Sequence, residues 1–319
     1  MSLIAKLTPI NLLEEKAKFM ADHNYNPQFI YDEVVEEEKL TQYGLPQQEY
    51  VALAQEIVDK AYFHRNEQDL LMMKGRNMTQ EEVTKKVKFF LKMHGLEDRF
   101  EVVWSSSFIP RTAINADTIK LKLPVRFRKE DLLGMLYHEI GTHAIRRVNY
   151  EQQPWYRRKK KYGFASYLKT EEGLAILHSL IPHTFKLAYI PAIRYLATNF
   201  SQSHSFSETF RFLNKYIEDF ERCWTATFRQ KRGLEDTSRP GGFTKDLVYF
   251  AGLIEAWQYL KEHDFDITKL YFGKMAAGDV EKAVEINPEF TPLLPSFFTI
   301  DQDEYKKKLQ EIGKENKLG

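Results

Sequence analysis

Cysteine is almost missing from this 319-residue chain, which has only Cys223. One thiol excludes an intramolecular disulfide and a cysteine-rich metal site, and it fits a reducing compartment. Long apolar runs are missing too. No stretch approaches the roughly 20 apolar residues that span a bilayer, so no membrane segment is expected. The opening MSLIAKLTPINLLEEKAKFM lacks the long uncharged run of a secretory signal, and the expected location is the cytoplasm. Charge of one sign is not in excess: 46 Lys and Arg against 45 Asp and Glu leave +1. That balance argues against a dedicated nucleic-acid binder, which usually carries a basic surplus. There is no internal repeat and no low-complexity segment.

What the chain does have is core material. Hydrophobic residues make up 43% and aromatics 14% of the sequence, a globular composition. The first third reads as amphipathic helices, one opening at Pro46 and running to about His64. Thr79 is a predicted N-cap, with Glu82 three residues on completing a capping box. Behind it Val83, Val87, Phe90 and Leu91 recur at helical spacing. Phe100–Ser105 and Thr118–Pro124 alternate apolar with polar residues, which predicts two half-buried strands. Between them Pro110, Asn115 and Asp117 are turn formers. A helix from about Lys129 to Arg147 carries Leu132, Leu133, Leu136 and Tyr137. From Thr170 onward the chain reads as mostly helical, interrupted by the turn-rich loop Gly233–Gly242. The expected class is α+β, predominantly helical, with residues 1–39 as an accessory helical segment and 40–319 as one catalytic domain.

Late in the Lys129 helix stands His138-Glu-Ile-Gly-Thr-His143. Two imidazoles and a carboxylate within six residues are the ingredients of a zinc hydrolase. Neutral imidazoles hold the ion, bound water is acidified, and a carboxylate that is not a ligand takes the proton. Glu139 is the natural base. The spacing departs from H-E-x-x-H. At 100° per residue an i,i+5 pair lies about 140° apart round an ideal α-helix, on the wrong sides for one ion. Either a π-bulge realigns the pair, or the helix ends near Gly141 and His143 reaches back from irregular backbone. Glycine resists neither distortion.

A third ligand must come from another element. Thr170-Glu-Glu-Gly-Leu-Ala175 offers Glu171 and Glu172, with Thr170 as predicted N-cap. Acids in a first turn also complement the helix dipole without any ligand role, and apolar phasing does not choose between the two.

HEIGTH followed by TEEGLAILHS resembles the microtubule-associated tyrosine carboxypeptidases, part of a wider family named for a Q-E-G-L-A motif. The resemblance continues in Val148-Asn149, Gln153-Pro154-Trp155, Arg232-Gly233, Asp236-Thr-Ser238 and Phe243–Tyr249. It spans roughly residues 45–275. It implies a zincin-like metallopeptidase, with a small sheet beside the metal-binding helix and one zinc per chain on His138, His143 and Glu172. Glu139 is then catalytic. Glu172 is preferred because the family has Gln at the position of Glu171 and an acid before the glycine. The implied activity is removal of a C-terminal tyrosine or other aromatic from a protein, as from the acidic tail of tubulin.

A carboxypeptidase must also grip a terminal carboxylate, which arginine does bidentately. Arg146, Arg147, Arg232 and Lys245 are candidates, with Tyr249 as a hydrogen-bond donor to the developing oxyanion. Each has an ordinary alternative as a surface cation or satisfied tyrosine. Arg157–Lys161 is either a steering patch for an acidic peptide or a solvated loop. His178 is either a partner behind the metal ligands or a satisfied core histidine. The competing functions are a zinc endopeptidase or aminopeptidase, and a metal-stabilised binding protein without catalysis.

Overall fold

The computed structural model describes residues 3–33, 35–108 and 111–319, so the turn former Pro110 lies outside the described residues. The architecture is mostly helical with one three-stranded sheet, as the α+β reading expects. Among the described residues no helix is long and apolar enough to cross a membrane.

The chain divides into two compact units, Met1–Asp69 with Ala188–Phe250, and Leu70–Leu187 with Ala251–Gly319. The 39/40 boundary expected from the sequence falls inside the first. In that unit Gln48–Tyr62 packs on Tyr189–Ser201. Phe19 lies 5.1 Å from Phe206, 4.9 Å from Phe210 and 5.2 Å from Trp224, between ring centroids. The turn-rich loop is tied down by a buried lysine. Lys231 donates to the carbonyls of Ser201, His204, Arg239 and Gly241, and burial lowers it to about 8.

In the second unit the capping box forms at Thr79 and Glu82, and Gln80–Met93 follows with Val83, Val87, Phe90 and Leu91 buried. Strands β1 (Glu101–Ser105) and β3 (Thr118–Lys122) run parallel. Ile119 and Leu121 turn inward on β3, while β1 is half-buried along most of its length. A third strand, β2 (Thr112–Ile114), pairs antiparallel with β3 where the sequence suggests only a turn. Three residues are too few for an alternation to be read.

The predicted metal helix is one composite rod: α-helix Lys129–Leu136, π-helix Tyr137–Ala144 and α-helix Ile145–Glu151. It packs against the helix Leu168–Leu180 that carries EEGLA. That helix starts two residues before Thr170, with Tyr167 as N-cap, correcting the cap assignment. The Thr170 hydroxyl is used elsewhere, accepting from the Ala277 N–H at 3.0 Å.

Gly173 sets how closely the EEGLA helix approaches Leu247–Glu262. A Cβ there would sit 1.9 Å from the Gly252 carbonyl oxygen, and one at Gly252 would sit 2.2 Å from that of Lys169. Backbone cannot yield as a side-chain tip can. Gly173→Ala is therefore expected to cost at least about 1–3 kcal/mol, the usual range of overpacking. Chemical denaturation reads this directly, and an unchanged midpoint would mean the two backbones are not in contact.

Candidate metal centre

The π-helix decides the i,i+5 question. Its signature is a bond five residues back: the Ile145 N–H, which an α-helix would pair with Gly141, donates to Ile140 and Thr142. The Gly141 carbonyl accepts from the Tyr271 hydroxyl at 2.6 Å. The alternative in which the helix ends at Gly141 is overturned. Gly141 also serves a purpose unseen in the sequence, since a Cβ there would lie 2.4 Å from Cε1 of Phe297.

With the helix so wound, His138 and His143 face one another. Their ring centroids are 4.8 Å apart and the planes stand at 83°. Glu172 completes the group: one ligand atom from each of His138, His143 and Glu172 lies within 4.8 Å of the other two. Two imidazoles and a carboxylate are a donor set that suits zinc, and their spacing is within reach of a single ion.

The groups behind these three hold and orient them. His143 Nδ1 bonds Glu171 Oε1 at 2.8 Å, leaving Nε2 on the side of Glu172, 3.8 Å from its Oε2. His138 is hydrogen-bonded to the Ala175 backbone. Burial lowers the pKa of His138, helped by its neighbour His143, so it is the readier of the two to be neutral. Burial acts the same way on His143, but the bond and charge of Glu171 outweigh it and raise the pKa.

Glu171 and Glu172 thus have different surroundings. Glu171 is buried and ion-paired with Arg146, and Lys274 Nζ lies 2.7 Å from its Oε1. Burial would raise its pKa, yet Lys274, Arg146 and His143 together hold it well below the carboxylate range.

Arg146 needs correcting. Its side chain is fully buried, donating to Glu171 and to the carbonyls of Leu270, at 3.0 Å, and Met275, at 3.2 Å. It holds Glu171 and is not available to a substrate carboxylate. Arg147 pairs with Glu151. Arg232, Lys245 and Tyr249 belong to the first unit. Arg232 is buried against the Phe243 ring, 4.9 Å away, and desolvation lowers it to about 10, so it too is no surface cation. Lys245 and Tyr249 are half-buried, and the Arg194 guanidinium lies 5.5 Å from the Tyr249 ring.

Glu139 is nearly buried and accepts a hydrogen bond from the Thr112 hydroxyl on β2. Sequence reasoning missed Thr112, because nothing distinguished it in a segment read as a turn. It also missed Lys274 and Tyr271, which no local motif marks. The basic run splits: Arg157, Arg158, Lys160 and Lys161 are exposed. Lys159 turns inward, 3.4 Å from the Tyr167 ring centroid and 4.5 Å from that of Tyr150. Burial lowers it to about 7, against the pull of Glu171. His178 is fully buried between Thr142 and Tyr305. Burial, then the nearby Arg146, His138 and His143, push it well below its usual range.

The family profile described as microtubule-associated tyrosine carboxypeptidase matches residues 29–297. The chain belongs to that family. It is similar to microtubule-associated tyrosine carboxypeptidase 1 of Rattus norvegicus, 30% identical over 327 residues that cover 99% of this chain and 69% of the relative. The Mus musculus protein of the same name is 30% identical over 325 residues, at 99% and 69% coverage. That of Homo sapiens is 29% identical, at 99% and 68%. The alignments extend beyond the 45–275 span of the sequence resemblance.

The division of labour between the two glutamates can be measured. With zinc on His138, His143 and Glu172, as proposed below, Glu171→Gln should weaken binding by about 10–100-fold, the usual effect of losing a partner of a metal-bound histidine, while keeping one site. Glu172→Gln should abolish stoichiometric binding. Titration against a chromogenic chelator reads both, and the reverse order of effects would exchange the two roles.

Proposed function

We propose that this chain is a zinc-dependent, zincin-like metallocarboxypeptidase that removes the C-terminal residue, tyrosine or another aromatic, from a protein tail. The observation that carries the reading is the convergence of His138, His143 and Glu172 within 4.8 Å, with Glu139 beside His138 on the same π-helix. Family membership supports the reaction class, since the rat, mouse and human relatives are named tyrosine carboxypeptidases. Their names also motivate a tubulin-like acidic tail as substrate.

One zinc would be held by His138, His143 and Glu172, and when bound it supplies a Lewis acid that acidifies water and polarises the scissile carbonyl. The chain's own residues do the rest. Glu139 accepts the proton of the attacking water and passes it to the departing amine, as a positioned general base and then acid. Thr112 fixes the carboxylate through Oε1. Glu171 orients His143 so that Nε2 is the free nitrogen. Arg146 and Lys274 keep Glu171 ionised in its buried place.

A closed structural zinc site uses four protein ligands and needs no neighbouring base. Three donors with Glu139 alongside favour the catalytic reading over a metal-stabilised binding protein.

Purified protein is expected to carry about one equivalent of zinc, lost in His143→Ala. Glu139→Gln should retain it while turnover falls about 10²–10⁴-fold, the usual cost of a missing general base. Retained turnover would remove Glu139 from the mechanism.

Mass spectrometry of peptide pairs tests the end of the substrate that is read. A free-acid peptide ending in an aromatic residue should lose one residue, and its C-terminal amide none. Cleavage of both would indicate an endopeptidase, and release of the first residue an aminopeptidase.

A further inference from the structure

We propose that a hydrogen-bond relay from Tyr305 through His178 to Thr142 holds the metal helix in its π register, making all three positioning residues for the metal centre. The inference rests on the reading of His138, His143 and Glu172 as ligands.

Thr142 lies between the two histidines' places in the chain, and its hydroxyl is 2.9 Å from the Tyr137 carbonyl, five residues back. A carbonyl can only accept. We assign the one hydroxyl proton of Thr142 to the Tyr137 carbonyl, and its oxygen then accepts from His178 Nδ1–H at 2.8 Å. That assignment leaves His178 Nε2 with the lone pair, which accepts from the Tyr305 hydroxyl at 2.9 Å. All donors run one way, from Tyr305 to the first carbonyl of the π-helix. Bonds chained in this manner polarise and strengthen one another.

The three side chains are fully or almost fully buried: Thr142 at 0%, His178 at 0% and Tyr305 at 2% exposure. Bulk solvent does not reach these bonds, and a lost partner would leave a buried polar atom unsatisfied. Tyr271, whose hydroxyl also meets the Thr142 side chain, holds the neighbouring Gly141 carbonyl. Phe297 packs over the same region, 4.3 Å from Tyr137 and 4.7 Å from His178 between ring centroids.

A satisfied core histidine could end on any acceptor. This one ends on a hydroxyl that spans the five-residue step bringing His138 and His143 together. Slipping the same segment into α register would turn the second histidine about 140° from the first. The relay's energetic consequence should therefore appear at the metal.

The test uses the full chain with Thr142→Val, Tyr305→Phe and the double variant. Three quantities are read: hydrogen exchange of residues 137–145 in metal-free protein, zinc affinity by chelator competition, and the thermal midpoint. Exchange of 137–145 should rise in each variant while that of Gln80–Met93 stays unchanged. Zinc affinity should fall by about 10-fold or more, the low end of what outer partners of a metal site contribute. The double variant should bind no worse than Thr142→Val, since both cut one chain. Thr142→Ser, which keeps the hydroxyl, should bind zinc as the wild type does, and it carries the test with Tyr305→Phe where Thr142→Val fails to fold.

A lower midpoint with zinc affinity unchanged would overturn the proposal, whatever the exchange shows, because the bonds would then serve only the core. Wild-type protein that binds no zinc would sink the metal reading instead. In that case exchange of 137–145 alone decides the relay, and unchanged protection overturns it.

Discussion

A helix that steps five residues per hydrogen bond is rare, and it survives only where its surroundings over-determine it. In this chain the step lies inside Tyr137–Ala144, and the geometry of the centre depends on it. It brings the two imidazoles together, releases the Gly141 carbonyl to Tyr271, and carries Glu139 to within reach of Thr112. The neighbouring segments are shaped to fit. Phe297 closes over a glycine that has no room for a Cβ, and the EEGLA helix lies against the π-turn, carrying the two glutamates.

Those two glutamates show how one turn of helix can separate adjacent acids. Successive residues on an α-helix point about 100° apart, so Glu171 and Glu172 cannot share an environment. Glu172 joins the histidines. Glu171 enters a buried nest of Arg146, Lys274 and His143. A buried charge is tolerable only when paired, and here two cations and an imidazole do the pairing. Strand β2 plays the matching part for Glu139, whose carboxylate accepts from the Thr112 hydroxyl.

Much of this was legible in the sequence where the signal is local. The capping box at Thr79, the strands at 101 and 118 and the helix through HEIGTH all follow from spacing and composition. The expectation that His138, His143 and Glu172 lie together followed from a short motif and the family resemblance, and the three do converge. What was not legible is what depends on distant residues. Spacing left open whether the helix bulged or ended, because the bonds that favour the bulge come from positions 271 and 305. Arg146 reads as an exposed cation after a metal helix, since nothing local reveals the carbonyls of Leu270 and Met275 that bury it. Thr170 reads as a cap until Ala277 claims its hydroxyl. The EEGLA helix is buried on nearly every face, so no apolar stripe distinguishes Glu171 from Glu172.

The wall behind the π-helix is built from Tyr271, Phe297 and Tyr305, more than 120 residues beyond the histidines they support. This has a consequence for the order of assembly during synthesis. Chains emerge from the ribosome N-terminus first, at about 5–20 residues per second, and contacts of such long sequence separation form late. HEIGTH and EEGLA leave the exit tunnel many seconds before residue 305. Over that interval the nascent segment lacks the partners that favour a five-residue step, and an ordinary α-helix is its default, with the histidines turned apart. The meeting of His138, His143 and Glu172 is thus a late product of translation, withheld from a half-made chain even though all three residues have already been synthesised.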